Sequence, residues 1–164
     1  MELPASVDTA SGHRWGKLPF VIDKAGTWWT GRSFEDLAEY IRIHTSLGYP
    51  ASDIRRCVCG DCGGHVFGLD IAQAEGCAQR ICVGCLNEYL IADSEDYWDQ
   101  VNIETAACPC GFETFEIGVG FSVRESGEIQ WVTVAGRCVV CGILGVYTDW
   151  KIDYEPSRHL LDRF

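Results

Sequence analysis

The stretch Cys62–Ile71, "CGGHVFGLDI", is matched without a gap by Cys110–Val119, "CGFETFEIGV". A cysteine, a glycine and a phenylalanine occupy the same positions in both stretches, and two aliphatic positions after them also correspond. The matched pairs are Cys62 with Cys110, Gly63 with Gly111, Phe67 with Phe115, Leu69 with Ile117 and Ile71 with Val119. A similarity that recurs at a fixed separation indicates an internal duplication.

Each copy has the pattern of a β-hairpin. Apolar residues alternate with polar or small residues over 115–123, "FEIGVGFSV", and again over 129–137, "IQWVTVAGR". This period of two predicts strands with one buried face, and the glycine-containing "RESGE" between them predicts a turn. The first copy predicts a shorter hairpin, with a strand at 65–71, a loop at 72–77 and a return at 78–82. We therefore expect two hairpins, each entered and left by cysteines.

A helix is predicted upstream of the first copy, over residues 33–49, "SFEDLAEYIRIHTSLGY". Its apolar residues follow helical spacing, and Ser33 is a suitable N-cap. Gly48 and Pro50 are typical of a helix end. The apolar stripe of this segment predicts packing against the core.

Ten cysteines, most of them in close pairs, are the strongest chemical signal in the chain. The N-terminal residues contain no apolar segment typical of a secretory signal, and no apolar run has the length of a membrane span. We therefore expect a cytoplasmic protein without membrane association. In a reducing compartment, paired cysteines favour metal binding. A disulfide framework is the alternative, and it would require an oxidising compartment.

The spacing of the pairs predicts two four-cysteine zinc sites. In the first copy, two C-x2-C pairs are separated by 19 residues, and in the second copy a C-x-C pair precedes a C-x2-C pair. Four thiolates can complete the tetrahedral shell of a structural zinc ion. The predicted ligands are Cys59, Cys62, Cys82 and Cys85 for one ion and Cys108, Cys110, Cys138 and Cys141 for the other.

Two cysteines, Cys57 and Cys77, remain outside these sites. Cys57 could replace Cys59 or Cys62 as a ligand, because "CVC" has the same spacing as "CPC". Cys77 is predicted to be a small buried thiol. A redox-sensitive bond between Cys57 and Cys77 is a further possibility.

This layout of ligands and hairpins resembles the zinc-ribbon superfamily over residues 57–154. The chain is also similar in style to uncharacterised cytoplasmic proteins of high-GC bacteria, which imply no activity. Together with the predicted helix, this resemblance leads us to expect an α+β fold, in which an N-terminal helix joins two tandem, internally duplicated zinc-ribbon-like antiparallel units. The expected divisions are a disordered tail (1–12), an extended segment and helix (13–56), the first unit (57–97), an acidic linker (98–107) and the second unit with its C-terminal tail (108–164).

The formal net charge of −11 is concentrated in the cysteine-rich part of the chain. No Lys or Arg occurs between Arg80 and Arg124, and this interval contains a run of acidic and aromatic residues. Because phosphate contacts require Lys and Arg, this distribution argues against direct nucleic-acid binding. It favours a basic protein partner instead. The candidate binding residues are Asp93, Glu95, Asp96, Tyr97, Trp98 and Asp99.

The expected function is therefore that of a non-catalytic, zinc-stabilised protein-binding module. A site closed by four thiolates has no open position for water, so hydrolysis is not expected there. An inhibitor or immunity protein directed against a basic toxin would be one form of such a module. The alternatives are a transcription-associated zinc-ribbon factor, in which Glu125 and Glu128 would act at the tip of the second hairpin, and an enzyme of unknown class.

Overall fold

The computed structural model describes residues 21–164, so the predicted tail 1–12 and the first part of the segment 13–56 lie outside the described residues. Within this range the chain forms one α-helix, α1 (Phe34–Thr45), three short 3-10 helices (Ser94–Asp96, Trp98–Gln100 and Arg158–Asp162) and eight strands. The strands are β1 (Asp53–Arg56), β2 (Phe67–Ala72), β3 (Cys77–Cys82), β4 (Glu88–Leu90), β5 (Glu104–Thr105), β6 (Phe115–Val123), β7 (Ile129–Cys138) and β8 (Leu144–Lys151). Both predicted hairpins are confirmed as β2–β3 and β6–β7.

All eight strands belong to one antiparallel sheet with the main order β4-β3-β2-β6-β7-β8. The two hairpins meet where Phe67 of β2 pairs with Phe115 of β6, and these are equivalent positions of the two copies. Since β2 and β6 run antiparallel, the hairpins extend in opposite directions from this bridge. The arrangement is that of two similar units related by a local twofold axis.

The strand that leads into each unit pairs with the hairpin of the other unit. β1 precedes the first pair of cysteines and pairs with β6, whereas β5 precedes the second pair of cysteines and pairs with β2. The registers correspond, because the Cys57 N–H donates to the Ile117 carbonyl (2.9 Å) and the Ala106 N–H donates to the Leu69 carbonyl (2.8 Å). The two units are therefore interlocked by exchanged strands.

The expected α+β class, with an N-terminal helix and two tandem units, is wrong. The described chain is mostly antiparallel sheet, and its helix lies at residues 34–45 rather than at the N-terminus. The sequence pattern of each copy contains no information on which hairpin its leading strand will pair with. Exchange of β1 and β5 merges the two units into one sheet, which the linear order of the copies did not reveal.

Helix α1 begins where the sequence predicted, because the Ser33 hydroxyl accepts a hydrogen bond from the Asp36 N–H. Its buried face includes Leu37 and Ile41, which pack in a small core against β7 and β8. Gly118 and Gly120 of β6 leave room for this contact. A Cβ atom at Gly120 would lie 2.8 Å from Ile41 Cγ2. Close approach of the helix to the sheet therefore depends on glycine at these positions.

We expect the substitution Gly120→Ala to destabilise the protein by about 1–3 kcal/mol, the usual cost of overpacking a well-filled core. The added methyl group would clash with Ile41 and would also lie 3.0 Å from the Ala51 Cβ. Urea unfolding of the purified protein measures the difference. Gly68→Ala is the matched control in β2, because a Cβ there meets no atom closer than 4.0 Å. Equal stability of the two variants would contradict this account of helix packing.

Candidate metal centres and acidic surface

Cluster 1 consists of Cys59, Cys62, Cys82 and Cys85, whose sulfur atoms all lie within 4.8 Å of one another. The Cys59 and Cys85 sulfurs are 3.5 Å apart, as are those of Cys62 and Cys82. The first two cysteines come from the turn before β2, and the other two from the end of β3 and the turn that follows it. The hairpin thus brings both pairs of the first copy together.

Cluster 2 consists of Cys108, Cys110, Cys138 and Cys141, with sulfur atoms again within 4.8 Å of one another. The Cys108 and Cys141 sulfurs are 3.5 Å apart, and those of Cys110 and Cys138 are 3.6 Å apart. The shorter C-x-C spacing of the first pair is therefore compatible with the same convergence of four sulfurs. All eight predicted ligands are brought together in two groups.

Both clusters fit a tetrahedral metal ion. Zn–S bonds of about 2.3 Å at tetrahedral angles place neighbouring sulfurs about 3.8 Å apart. The closest sulfur pairs, 3.5 to 3.6 Å apart, are near that value, and all sulfurs of each cluster lie within 4.8 Å of one another, whereas a disulfide bond is about 2.05 Å long. All ten cysteines are free thiols in the structure. The two groups could accordingly hold two metal ions.

The backbone positions equivalent sulfurs in the same way in both clusters. Phe67 pairs with Cys82 across β2 and β3, and Phe115 pairs with Cys138 across β6 and β7. In the turns after Cys82 and Cys138, the N–H four residues later donates to the carbonyl of that cysteine, at 2.8 and 2.9 Å respectively. These turns require positive φ angles, which Leu86 (66°) and Gly142 (79°) adopt.

Hydrogen bonds and burial shift the pKa values of the cysteine thiols. The Tyr89 hydroxyl lies 3.3 Å from the Cys59 sulfur and lowers the pKa of Cys59 to about 6. Burial raises the pKa of Cys108 in cluster 2. Four thiolates held this close repel one another, so full ionisation of either cluster favours a bound cation.

Cys57 and Cys77 lie outside both clusters and are completely buried. Burial raises the pKa of Cys57 to about 12 and that of Cys77 to about 11. The matching hydrogen bonds make Cys57 the counterpart of Ala106, a small buried residue. The structure therefore does not bring Cys57 into cluster 1 in place of Cys59 or Cys62. It also contains no bond between Cys57 and Cys77.

The acidic segment is held to the sheet by Asp93, which is only 4% exposed. Its carboxylate accepts hydrogen bonds from Trp150 Nε1 (2.9 Å) and from the Tyr154 hydroxyl (2.8 Å). Asp93 was predicted to belong to a binding surface, and the structure places it in the interior instead. The polar hydrogens of two large aromatic side chains account for this burial, because they satisfy both carboxylate oxygens.

The other predicted binding residues lie nearer the solvent. Tyr97 is 46% exposed, Trp98 is half-buried, and the carboxylates around them, of Glu95, Asp96 and Asp99, are exposed. Glu95 lies 3.7 Å from Arg163, which offsets part of the charge. Burial raises the pKa of Tyr97, and the carboxylates of Asp93, Asp96 and Asp153 raise it further. Asp153 follows β8 in the chain. Asp153 could not be identified from the sequence, because only the tertiary fold brings it near Tyr97.

At the tip of the β6–β7 hairpin, the carboxylate of Glu128 is engaged within the chain. It accepts hydrogen bonds from the Ser157 N–H (2.6 Å), the Ser157 hydroxyl (3.0 Å) and the Arg158 N–H (3.1 Å). Glu125 is exposed at the same turn. Glu128 thus holds the C-terminal segment against the hairpin. Glu125 and Glu128 therefore do not form a pair of unengaged carboxylates at the hairpin tip.

Residues 21–164 contain no helix with the length and apolar character needed to cross a membrane. No protein-family model matches the sequence, and neither curated proteins nor solved structures provide a match to the chain. The resemblance to zinc ribbons accordingly rests on the two four-cysteine clusters and on the hairpins that carry them.

We expect Leu86→Gly to stabilise the protein by about 1 kcal/mol relative to Leu86→Ala. Leu86 has a φ of 66° and is 73% exposed, so its side chain contributes little packing while its Cβ is strained. Alanine keeps the Cβ and retains the strain, whereas glycine removes it. Urea unfolding of both variants provides the comparison. A glycine variant no more stable than the alanine variant would show that Leu86 is unstrained.

Proposed function

We propose that the protein is a non-catalytic binding module stabilised by two structural zinc ions. The observation that carries this proposal is the convergence of four sulfurs in each cluster, with no other type of ligand joining them among residues 21–164. Thiolate-only tetrahedral sites favour zinc, and four protein ligands leave no position for a reacting water. The metal would then supply folding energy by holding together the turns that begin and end each hairpin.

The partner proposed for this module is a basic protein. The net charge of −11 favours association with a positively charged surface and disfavours nucleic acid. The segment 95–99 offers exposed carboxylates around Tyr97, whose ring is accessible for contact with a cationic side chain. Hydrogen bonds to Asp93 hold this segment against the sheet, which lowers the entropy cost of binding. An inhibitor or immunity protein is one form that this function could take.

The metal assignment predicts two zinc ions per chain, measured by native mass spectrometry and elemental analysis of protein purified without added metal. Cys62→Ser should remove the ion of cluster 1, and Cys110→Ser the ion of cluster 2, because three thiolates bind zinc more weakly than four. Cys77→Ala is the control, since Cys77 lies outside both clusters and should leave two ions bound. Wild-type protein that is folded, free of metal and unable to take up zinc would refute the proposal.

The binding surface can be tested with a synthetic lysine- and arginine-rich peptide as the probe, using isothermal titration at low and physiological salt. The double variant Asp96→Lys with Asp99→Lys should weaken binding by at least about tenfold, because it reverses the charge around Tyr97. Glu35→Lys with Glu125→Lys is the matched control, with the same change in net charge at two exposed positions elsewhere. Equal loss of affinity in both double variants would mean that net charge alone attracts the peptide and that no specific surface exists.

A further inference from the structure

The two clusters differ in the side chains that surround them. At cluster 1, the Tyr89 hydroxyl contacts the Cys59 sulfur and also donates to the Asp61 carboxylate. The Asn87 side-chain amide donates to the same carboxylate at 2.7 Å. Asp61 lies between the ligands Cys59 and Cys62, so this network fixes the turn that carries both sulfurs.

A buried cation lies behind this network. Arg80 is only 4% exposed, and its guanidinium group lies 4.4 Å from the centroid of the Tyr89 ring and 4.7 Å from that of Phe67. It donates to the main-chain oxygens of Val58 and Phe164. No Asp or Glu side chain forms an ion pair with Arg80 within residues 21–164. At Cys57, which lies outside both clusters, burial raises the pKa and the positive charge of Arg80 partly opposes that rise. The contact of Arg80 with cluster 1 is its hydrogen bond to the Val58 carbonyl, which holds the residue before Cys59.

Cluster 2 lacks each of these groups at the equivalent position. Arg80 pairs with Tyr89 across β3 and β4, and the corresponding pair across β7 and β8 is Gly136 with Gly145. Asn87, two residues after the last ligand of cluster 1, corresponds to Ile143. The C-x-C turn of cluster 2 has only Pro109 between its ligands, where cluster 1 has Gly60 and Asp61. Within residues 21–164, the polar side chains that support cluster 1 therefore have no equivalent at cluster 2.

Tyr147 carries a hydroxyl and lies near the four cysteines of cluster 2. It packs on Phe115, with ring centroids 4.9 Å apart, and burial raises its pKa. Its hydroxyl makes no hydrogen bond to a sulfur of cluster 2 in the described part of the chain. Tyr147 is therefore a packing residue, and it provides a natural control for Tyr89.

We propose that cluster 1 is a permanent structural zinc site and that cluster 2 is an exchangeable one, with Tyr89, Asp61, Asn87 and Arg80 responsible for the difference. This inference rests on the proposed binding of zinc. Tyr89 and Asn87 donate to Asp61, between Cys59 and Cys62, and Arg80 donates to Val58, the residue before Cys59. These hydrogen bonds keep the two sulfurs of the turn oriented towards a bound ion. Groups that orient metal ligands typically contribute about 10–100-fold in metal affinity. Cluster 2 would consequently lose its ion first to a competing ligand.

The experiment follows zinc release from the full-length, zinc-loaded protein after addition of a chromophoric chelator at fixed pH. Alkylation by iodoacetamide at successive times, mapped by peptide mass spectrometry, identifies which cysteines have been freed. We expect two phases, with Cys110 and Cys141 modified before Cys62 and Cys85. Simultaneous release of both ions, or earlier release from cluster 1, would overturn the inference.

Tyr89→Phe should accelerate release from cluster 1 by about 10–100-fold and leave the rate at cluster 2 unchanged. Tyr147→Phe is the matched control and should change neither rate. Arg80→Met should weaken the retention of zinc by cluster 1, and Arg80→Lys should preserve most of it, because lysine can still donate a hydrogen bond to the Val58 carbonyl. A general loss of structural stability would instead accelerate release from both clusters.

Asn87→Ala provides a second test if changes at the buried Arg80 prevent folding, because Asn87 is exposed and its loss removes only the amide that holds Asp61. It should accelerate release from cluster 1 to a smaller extent than Tyr89→Phe. If neither Asn87→Ala nor Tyr89→Phe changed the rate of zinc release from cluster 1, the inference would be wrong. The protein would still bind two zinc ions per chain, so the proposed function would stand. Absence of zinc from both clusters would refute the proposed function itself.

Discussion

The pairing of Phe67 with Phe115 is the contact on which the arrangement of the sheet depends. Each phenylalanine is fully buried and pairs on its other side with a cysteine, so the row Cys82, Phe67, Phe115, Cys138 crosses four adjacent strands. At the usual strand spacing, the two cysteines of this row lie about 15 Å apart. One bridge thereby sets the separation of the two clusters and places a shared aromatic core between them.

The exchange of leading strands explains how such short elements form a stable sheet. β5 contains two residues and β4 three, so neither strand could contribute much stability as part of an isolated unit. β1 and β5 connect each unit to the hairpin of the other, and a metal ion in each cluster would tie the turn before a hairpin to the turn after it. Strand pairing and the proposed metal binding would therefore support each other across the junction of the two units.

The two units have equivalent backbones but differ in the side chains they carry. The first unit contains the polar groups around cluster 1, whereas the second has glycines at the corresponding positions and contributes Gly118 and Gly120 to the packing of α1. The acidic segment between the units is held by Asp93 to aromatic residues of the second unit. The same fold thus combines a cysteine cluster surrounded by polar side chains, a sheet face covered by a helix, and an acidic surface.

Local patterns in the sequence were sufficient to predict helix α1, the two hairpins and the two groups of four cysteines. The period of two defined both hairpins, Ser33 marked the start of the helix, and the cysteine pairs predicted the two groups of four sulfurs. Such features depend on residues close in the chain or on the two arms of a hairpin. They could be predicted because a tight turn brings neighbouring cysteines together independently of the rest of the fold.

Only the tertiary structure determined how the two units combine and which side chains are accessible. Two hairpins with the same pattern can stand in tandem or exchange strands, and hydrogen bonds between distant segments decide between these arrangements. For the same reason, sequence placed Asp93 on a surface that Trp150 and Tyr154 in fact cover, and it missed Asp153. The role of Tyr89 also depended on the β3–β4 pairing, because no local pattern brings its hydroxyl to the Cys59 sulfur.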